Sequence, residues 1–155
     1  MVRTGEAHLS RQRHLVILRA SFLKSILMTQ PTEGETRTFE RTFTVEDVQQ
    51  FAELTGDDQP RHTEPNEDGR VMVQGLLTAT LPTKLGSDNE VLASTMEFDF
   101  HQPVYTGEPI TCRSTFDTVE ERDDRYEFTS DVICENADNE TVLTSTTNGI
   151  IWKNE

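Results

Sequence analysis

The chain begins to show regular patterning at Thr36. From Thr36 to Phe43 two sets of side chains alternate, with Phe39 and Phe43 in the same set, which predicts a β-strand. Thr44 has the residue type of a helix N-cap, and Asp47 stands three positions later, as in a capping box with Asp in place of Glu. The apolar residues that follow have helical spacing and predict a short amphipathic helix that ends near Gly56.

A second helix is predicted after a polar loop that runs from Asp57 to Gly69. The segment Val71–Leu85 is apolar on nearly all sides, and a helix without a polar face is a buried one. Pro82 lies inside this segment and removes a backbone donor, so we expect it to kink the helix or end it early.

The remaining sequence is strand-like and rich in turn residues. Four further strands are predicted at Val91–Phe100, Pro109–Glu120, Arg125–Asn136 and Thr141–Trp152. A helix that is apolar on all sides must be buried by other elements, and a curved antiparallel sheet can wrap around it. The sequence therefore predicts an α+β fold in which an antiparallel sheet surrounds a central hydrophobic helix.

Charge changes the picture of the surface and of the domain limits. The chain has 14 Lys+Arg and 28 Asp+Glu, a net charge of −14. Residues 1–27 carry five bases and one acid, so residues 28–155 have a net charge of −18. Such a surface repels nucleic acid and anionic membranes. The three lysines and the excess of carboxylates favour a protein from a high-salt cytoplasm; the alternative is an ordinary acidic protein.

The basic residues 1–27 differ from everything after them. Their apolar run is interrupted by Arg19 and Lys24, which is a poor fit to a signal peptide, and an amphipathic membrane helix is the alternative. Our hypothesis is that Met28 is the true start and that 1–27 come from an over-extended reading frame. Residues 28–35 then form a polar N-terminal segment, and residues 36–153 form the domain. No run of about 18 uncharged apolar residues is present, so we expect no membrane-spanning helix.

Two cysteines, Cys112 and Cys134, lie in predicted strands. Their spacing is not that of a metal site, and no Cys/His cluster is present, so we expect no metal. Both are predicted to be small core residues.

The chemistry is concentrated between the two predicted helices. Asp57 and His62 stand on either side of Pro60, and an acid and an imidazole on either side of a proline turn can converge on one point. A solvated pair in a polar loop is the plainer interpretation of such a pattern.

Three segments carry a resemblance to the MaoC-like hydratases and dehydratases. Residues 54–62, Leu-Thr-Gly-Asp-Asp-Gln-Pro-Arg-His, resemble the hydratase motif G-D-x-N-P-x-H. Residues 69–79 resemble G-R-P-I-x-H-G-M-L-x-[AS], and residues 98–108 resemble F-x-x-P-V-x-x-G-D. The resemblance covers residues 36–153. It implies a single hotdog domain and a homodimer with coenzyme A near the interface, and the reaction of the family needs no metal or organic cofactor. The surface composition predicts a cytoplasmic location.

The resemblance also implies a role for individual residues. Asp57 and His62 match the catalytic Asp and His that orient the attacking water, and Gly75 matches the glycine whose N–H faces the thioester carbonyl. A backbone N–H at a helix N-terminus stabilises the charge that develops on that oxygen. The sequence departs from the motifs at two positions, where Gln59 replaces Asn and Gln74 replaces His.

Substrate binding is predicted at five positions. Coenzyme A carries several phosphate charges, so an acidic protein needs local cations to receive it. The candidates are Arg61, Arg70 and Lys84, together with the two glutamines, Gln59 and Gln74. An ordinary surface ion pair is the alternative for each cation.

Three functions are compatible with these residues. The first is an (R)-specific enoyl-CoA hydratase that adds water to trans-2-enoyl-CoA. The second is a hotdog thioesterase that directs water at the carbonyl carbon. The third is a non-catalytic acyl-CoA-binding hotdog, for which the two departures are the main support.

Overall fold

The structure of the protein is a computed structural model that describes residues 30–153. The hypothesis about Met28 and the basic segment 1–27 lies outside the described residues. Within Pro31–Lys153, which form one compact unit, five strands and four short helices follow one another. The strands are β1 (Thr36–Thr42), β2 (Leu92–Phe100), β3 (Pro109–Glu121), β4 (Arg125–Glu135) and β5 (Thr141–Trp152). The helices are α1 (Val45–Thr55), α2 (Pro60–Thr63), α3 (Gly75–Thr78) and α4 (Leu81–Ser87).

All five strands belong to one antiparallel sheet in the order β1-β3-β4-β5-β2. Strands β3, β4 and β5 are neighbours in sequence and in space, while β1 and β2 form the two edges. The alternation in β4 buries Tyr126, Phe128, Ser130, Val132 and Cys134 on one face. The predicted strands and the α+β class are thereby confirmed.

Helix α1 begins and ends where the sequence predicts. The Thr44 hydroxyl accepts from the Asp47 N–H at 3.1 Å, and the Asp47 carboxylate accepts from the Thr44 N–H at 2.9 Å, which completes the capping box. Gly56 ends the helix with φ = +76°, a left-handed conformation that glycine adopts without strain.

The predicted buried helix Val71–Leu85 is wrong in its extent. Val71 and Val73 are extended and pair with the segment 104–106: the Val73 N–H donates to the Val104 carbonyl at 2.8 Å. The helical part is divided into α3 and α4, and Pro82 lies in the first turn of α4, where a missing donor costs little. Pro82 therefore marks an interruption of the central helix, as predicted.

The main core lies between the helices and the buried face of the sheet. Helix α4 packs on β1 and β3, and Leu81 and Leu85 point into the core. The largest fully buried hydrophobic side chains are Phe43, Leu81, Ile110, Leu143 and Val48. Each buried side chain of this size stabilises the fold by roughly 1.5–3 kcal/mol relative to exposure.

The two cysteines face each other across the sheet. Cys112 on β3 is directly opposite Cys134 on β4, and both are fully buried free thiols, as predicted. A hydrogen bond with Cys112 and burial both raise the pKa of the Cys134 thiol well above its ordinary value. Neither cysteine is therefore placed to act as a nucleophile.

Candidate active site

The candidate site begins where α1 ends. The left-handed turn at Gly56 directs the chain away from the helix axis, and Pro60 then starts the single turn of α2. Pro60 has the backbone conformation that a helix start requires. This pair of turns brings Asp57 and His62 to the same side of the loop.

His62 is held in one orientation by the main chain. The ring is 7% exposed, and its Nδ1 lies 2.8 Å from the Met72 carbonyl oxygen. Because a carbonyl oxygen only accepts, Nδ1 carries the proton in this hydrogen bond. In the neutral ring, Nε2 then has the free lone pair, which is the form that can take a proton from water.

The Asp57 carboxylate faces the free nitrogen of this ring. Its Oδ2 lies 3.9 Å from His62 Nε2, which is too long for a direct hydrogen bond. The other oxygen, Oδ1, accepts from the Gln59 side-chain amide at 2.9 Å. Gln59, the first departure from the family motif, therefore orients Asp57 and leaves Oδ2 free to share a small polar molecule with His62.

Gln74, the second departure, lies behind this loop. It is 1% exposed, and its amide donates to the carbonyls of Val48 at 3.2 Å and of Asp57 at 3.3 Å. It is not among the residues that line the neighbouring cleft. Gln74 thus ties α1 to the Asp57 loop and lies outside the lining of the cleft.

A cleft of about 400 Å³ opens beside His62. Four of the predicted site residues line it, namely Gln59, Arg61, His62 and Gly75. The other lining residues are Met72, Val73, Thr78, Phe100, His101, Gln102, Pro103, Val104 and Val142.

Gly75, at the start of α3, lies against the Phe100 ring at the end of β2. A Cβ atom at this position would lie 3.2 Å from Cε1 of Phe100, so the absence of a side chain lets the two elements come together. Gly75 is also the first residue of α3, and a helix leaves its first N–H groups without intrahelical acceptors. The position can therefore present a donor to a ligand in the cleft.

Two of the predicted cation contacts lie elsewhere. Arg70 forms an ion pair with Asp68 at 3.4 Å and stacks over the Tyr105 ring at 5.3 Å. Lys84 pairs with Asp88 at 2.5 Å on the exposed side of α4. Neither residue lines the cleft, whereas Arg61 does.

No role was predicted for the residues at the end of β2 and just after it. Phe100, His101 and Gln102 line the cleft, and His101 Nε2 lies 2.8 Å from the Thr144 hydroxyl. They fall within residues 98–108, the third segment that resembles the family, and this resemblance is the only feature of the sequence that points to them. Among residues 30–153 no three His, Cys, Asp or Glu side chains form a metal-binding group. No helix in that range is long and apolar enough to cross a membrane.

Comparison with solved structures identifies the fold. The chain is similar to the (R)-hydratase from A. caviae involved in PHA biosynthesis, with TM-score 0.69, 20% identity, and coverage of 78% of this chain and 97% of that one. It is also similar to the MaoC-like dehydratase from Rhodospirillum rubrum, with TM-score 0.67, 18% identity, and coverage of 80% and 94%. A third similar structure is the monoamine oxidase regulatory protein from Archaeoglobus fulgidus, with TM-score 0.65, 24% identity, and coverage of 80% and 92%.

These likenesses establish the architecture and not the reaction. No protein-family profile matches the sequence, and no curated protein matches it either. The domain has the hotdog fold of the MaoC-like dehydratases and (R)-hydratases, so the predicted resemblance is confirmed at the level of the fold.

Proposed function

We propose that this protein is a hydro-lyase of the MaoC-like type that adds water reversibly to trans-2-enoyl-CoA and forms (R)-3-hydroxyacyl-CoA. One observation carries the proposal: His62 Nε2 and Asp57 Oδ2 face each other 3.9 Å apart beside a cleft. A water molecule can lie within about 2.8 Å of both atoms, which is the normal length of a strong hydrogen bond.

The chemistry of hydration needs the groups that surround this point. Oxygen adds to C3 of the enoyl group while the water loses one proton to the Asp57–His62 pair. The α-carbon, C2, gains a proton from the same pair, so one molecule of water is consumed in each turnover. Acid–base groups of this kind contribute about 10²–10⁴-fold to the rate.

The thioester carbonyl carries negative charge as the enolate develops. In the proposed reaction Gly75 at the start of α3 supplies its backbone N–H to this oxygen, since a fixed donor aimed at developing charge stabilises it without reorganisation. The side-chain hydrogen bonds of Gln59 and Gln74 hold Asp57 from two sides. Both departures from the family motif are therefore compatible with catalysis, which disfavours a non-catalytic binding protein.

The proposal also includes a substrate, an oligomeric state and a location. The substrate is an acyl-CoA, and two copies of the chain form a homodimer in the cytoplasm. Strand β2 supports the dimer because it is an edge strand with exposed apolar side chains at Leu92, Met96 and Phe100. The two reduced, buried thiols are compatible with a reducing compartment.

The test uses the full chain in molar KCl with crotonyl-CoA. Loss of the conjugated enoyl-thioester absorbance is followed together with free thiol, and an (R)- or (S)-specific 3-hydroxyacyl-CoA dehydrogenase reports the product configuration. We expect absorbance loss without thiol release, and (R) product. Asp57→Asn and His62→Ala should each lose at least about a hundredfold in rate, the range for an acid–base group.

Asp58→Asn is the matched control because Asp58 is the exposed neighbour of Asp57 and forms no ion pair within the described part of the chain. It should retain full activity. Thiol release that depends on Asp57 and His62 would instead identify a thioesterase. A folded protein that binds acyl-CoA without turning it over would leave only the binding function.

A further inference from the structure

The cleft differs in charge from the rest of the protein. The sequence has twice as many acidic as basic residues. None of the residues that line the cleft within the described range is an Asp or a Glu. The ionisable lining residues are Arg61, His62 and His101, all of which are neutral or cationic. Asp57 lies beside His62 but is not among the lining residues, so an anionic ligand in the cleft meets one nearby carboxylate and less repulsion than over most of this acidic surface.

Arg61 also differs from the other basic residues of the described chain. Residues 30–153 contain nine Lys and Arg, and eight of them lie within 4.0 Å of a carboxylate oxygen. Arg61 is the exception among these nine. The same range contains 26 Asp and Glu, so a carboxylate partner could readily have been provided by the surrounding surface.

The backbone fixes the position of Arg61 relative to the catalytic pair. Arg61 is the residue before His62 in α2, and its carbonyl accepts from the Met72 N–H at 3.1 Å. The Met72 carbonyl accepts from His62 Nδ1. Both residues are thus attached to Met72 at the cleft wall, which fixes the backbone of Arg61 beside His62.

We propose that Arg61 binds an anionic group of the substrate. A guanidinium offers a planar set of donors that matches either a carboxylate or a phosphate. The group is therefore either a carboxylate at the end of the acyl chain or a phosphate of coenzyme A. This inference rests on the proposed function, because it assumes that the cleft receives the thioester substrate.

The test measures equilibrium binding of four thioethers, which neither hydratase nor thioesterase can consume. S-butyl-CoA and S-butyl-pantetheine differ in the phosphates of coenzyme A. S-(4-carboxybutyl)-CoA and S-pentyl-CoA differ in the terminal carboxylate. The full-length proteins compared are the wild type, Arg61→Gln, Arg61→Lys and the control Arg113→Gln, whose arginine pairs with Glu135 on the sheet and does not line the cleft.

We expect Arg61→Gln to raise the Kd at least tenfold for the ligands that carry the recognised anion. A tenfold change in Kd corresponds to the loss of about one charge-assisted hydrogen bond. A loss for S-butyl-CoA but not for S-butyl-pantetheine identifies a phosphate. A loss for S-(4-carboxybutyl)-CoA but not for S-pentyl-CoA identifies a carboxylate. Arg61→Lys should recover part of the affinity because it restores the charge without the planar donor set.

An equal effect of Arg61→Gln on all four ligands, or no effect, overturns the inference, as does an equal effect of Arg113→Gln. Failure of this inference is separate from failure of the proposed function. Active hydratase with charge-independent binding rejects the role of Arg61 alone. Charge-dependent binding through Arg61 without hydration rejects the reaction and leaves the anion site.

Discussion

The side-chain amide of Gln74 donates to the backbone carbonyl of Asp57 at 3.3 Å and to that of Val48 at 3.2 Å. A buried side chain thus joins helix α1 to the loop that carries the candidate acid, from a position that does not line the cleft. The motif position that a MaoC-like sequence fills with His is filled here by a residue that cannot titrate but can bridge two carbonyls.

Gln74→Leu should therefore reduce both stability and activity. Leucine fills a similar volume but leaves the buried Val48 carbonyl and the partly buried Asp57 carbonyl without this donor, at about 1–3 kcal/mol for an unsatisfied buried group. Unfolding by urea gives the stability, and kcat/KM for crotonyl-CoA gives the activity. Gln50→Leu is the control, because Gln50 is exposed on α1 and bonds only Glu46 within the described residues. Equal effects of the two substitutions would contradict a specific role for Gln74.

The sequence predicted the sheet well because each strand buries one face. In β4 the buried positions alternate from Tyr126 to Cys134, and all of them except Ser130 are apolar or aromatic, a period of two that is typical of a strand. Val71 and Val73 were misassigned to a helix because a buried extended segment and a buried helix are equally apolar. Pairing with residues 104–106, more than 30 positions later, decides between them, and local periodicity does not report such pairing.

The candidate site was predictable only in its local part. Asp57 and His62 are five positions apart, so a turn at Gly56 and another at Pro60 suffice to bring them together. Phe100 and His101 join the cleft because β2 ends beside α3 once the sheet has closed. Arg61 lines the cleft, whereas Lys84 pairs with Asp88 on α4. The sequence alone does not distinguish them, because each is a single cation among acidic residues and only the tertiary contacts differ.

Gly75→Ala should affect activity more than stability. The added methyl group meets Phe100 at 3.2 Å, and that ring is 52% exposed and can shift by a few tenths of an ångström. We expect a loss of stability of no more than about 1 kcal/mol, the low end of the cost of overpacking, because the ring can give way. We also expect at least a tenfold fall in kcat/KM, since the ring moves into the cleft and displaces the thioester from the N–H donor.

The double variant Gly75→Ala/Phe100→Leu tests whether contact with the Phe100 ring causes the loss of activity. The smaller side chain removes the contact, so part of the lost kcat/KM should return. If the double variant is no more active than Gly75→Ala, the glycine is needed for a reason other than its approach to Phe100.

Asp47 should stabilise the protein in a pH-dependent way. The hydrogen bond from the Thr44 N–H, opposed by partial burial and aided by Arg41, lowers the pKa of Asp47 below its ordinary value of 3.8. A folded-state pKa below the unfolded one adds stability that is fully present well above pH 3.8. This contribution is lost as the pH falls through the folded-state value. Asp47→Ala should therefore cost about 0.5–2 kcal/mol near pH 7, the range for a lost capping interaction, and less near pH 3.

Urea unfolding of the wild type and of Asp47→Ala at both pH values measures this difference directly. Glu46→Ala serves as the control because Glu46 is in the same first turn of α1 but does not cap it. A difference between wild type and Asp47→Ala that does not shrink in acid would show that the carboxylate charge contributes nothing to the cap.

Salt should stabilise this protein, contrary to what its ion pairs alone would suggest. Residues 30–153 have 26 acids and nine bases, so at least 17 carboxylates remain without a basic partner even if every base pairs with a different acid. Surface pairs contribute only about 0–1 kcal/mol each, and the surplus carboxylates repel one another throughout the surface.

Raising KCl from about 0.1 M to about 1 M shortens the screening length from about 10 Å to about 3 Å, which weakens the long-range repulsion more than the short contacts. We therefore expect the Tm to rise over this range, and to rise less in a variant with Glu53 and Glu67 changed to Gln, since both are exposed and neither forms an ion pair within the described part of the chain. A Tm that falls with KCl would mean that the ion pairs outweigh the repulsion and that the acidic surface is not an adaptation to salt.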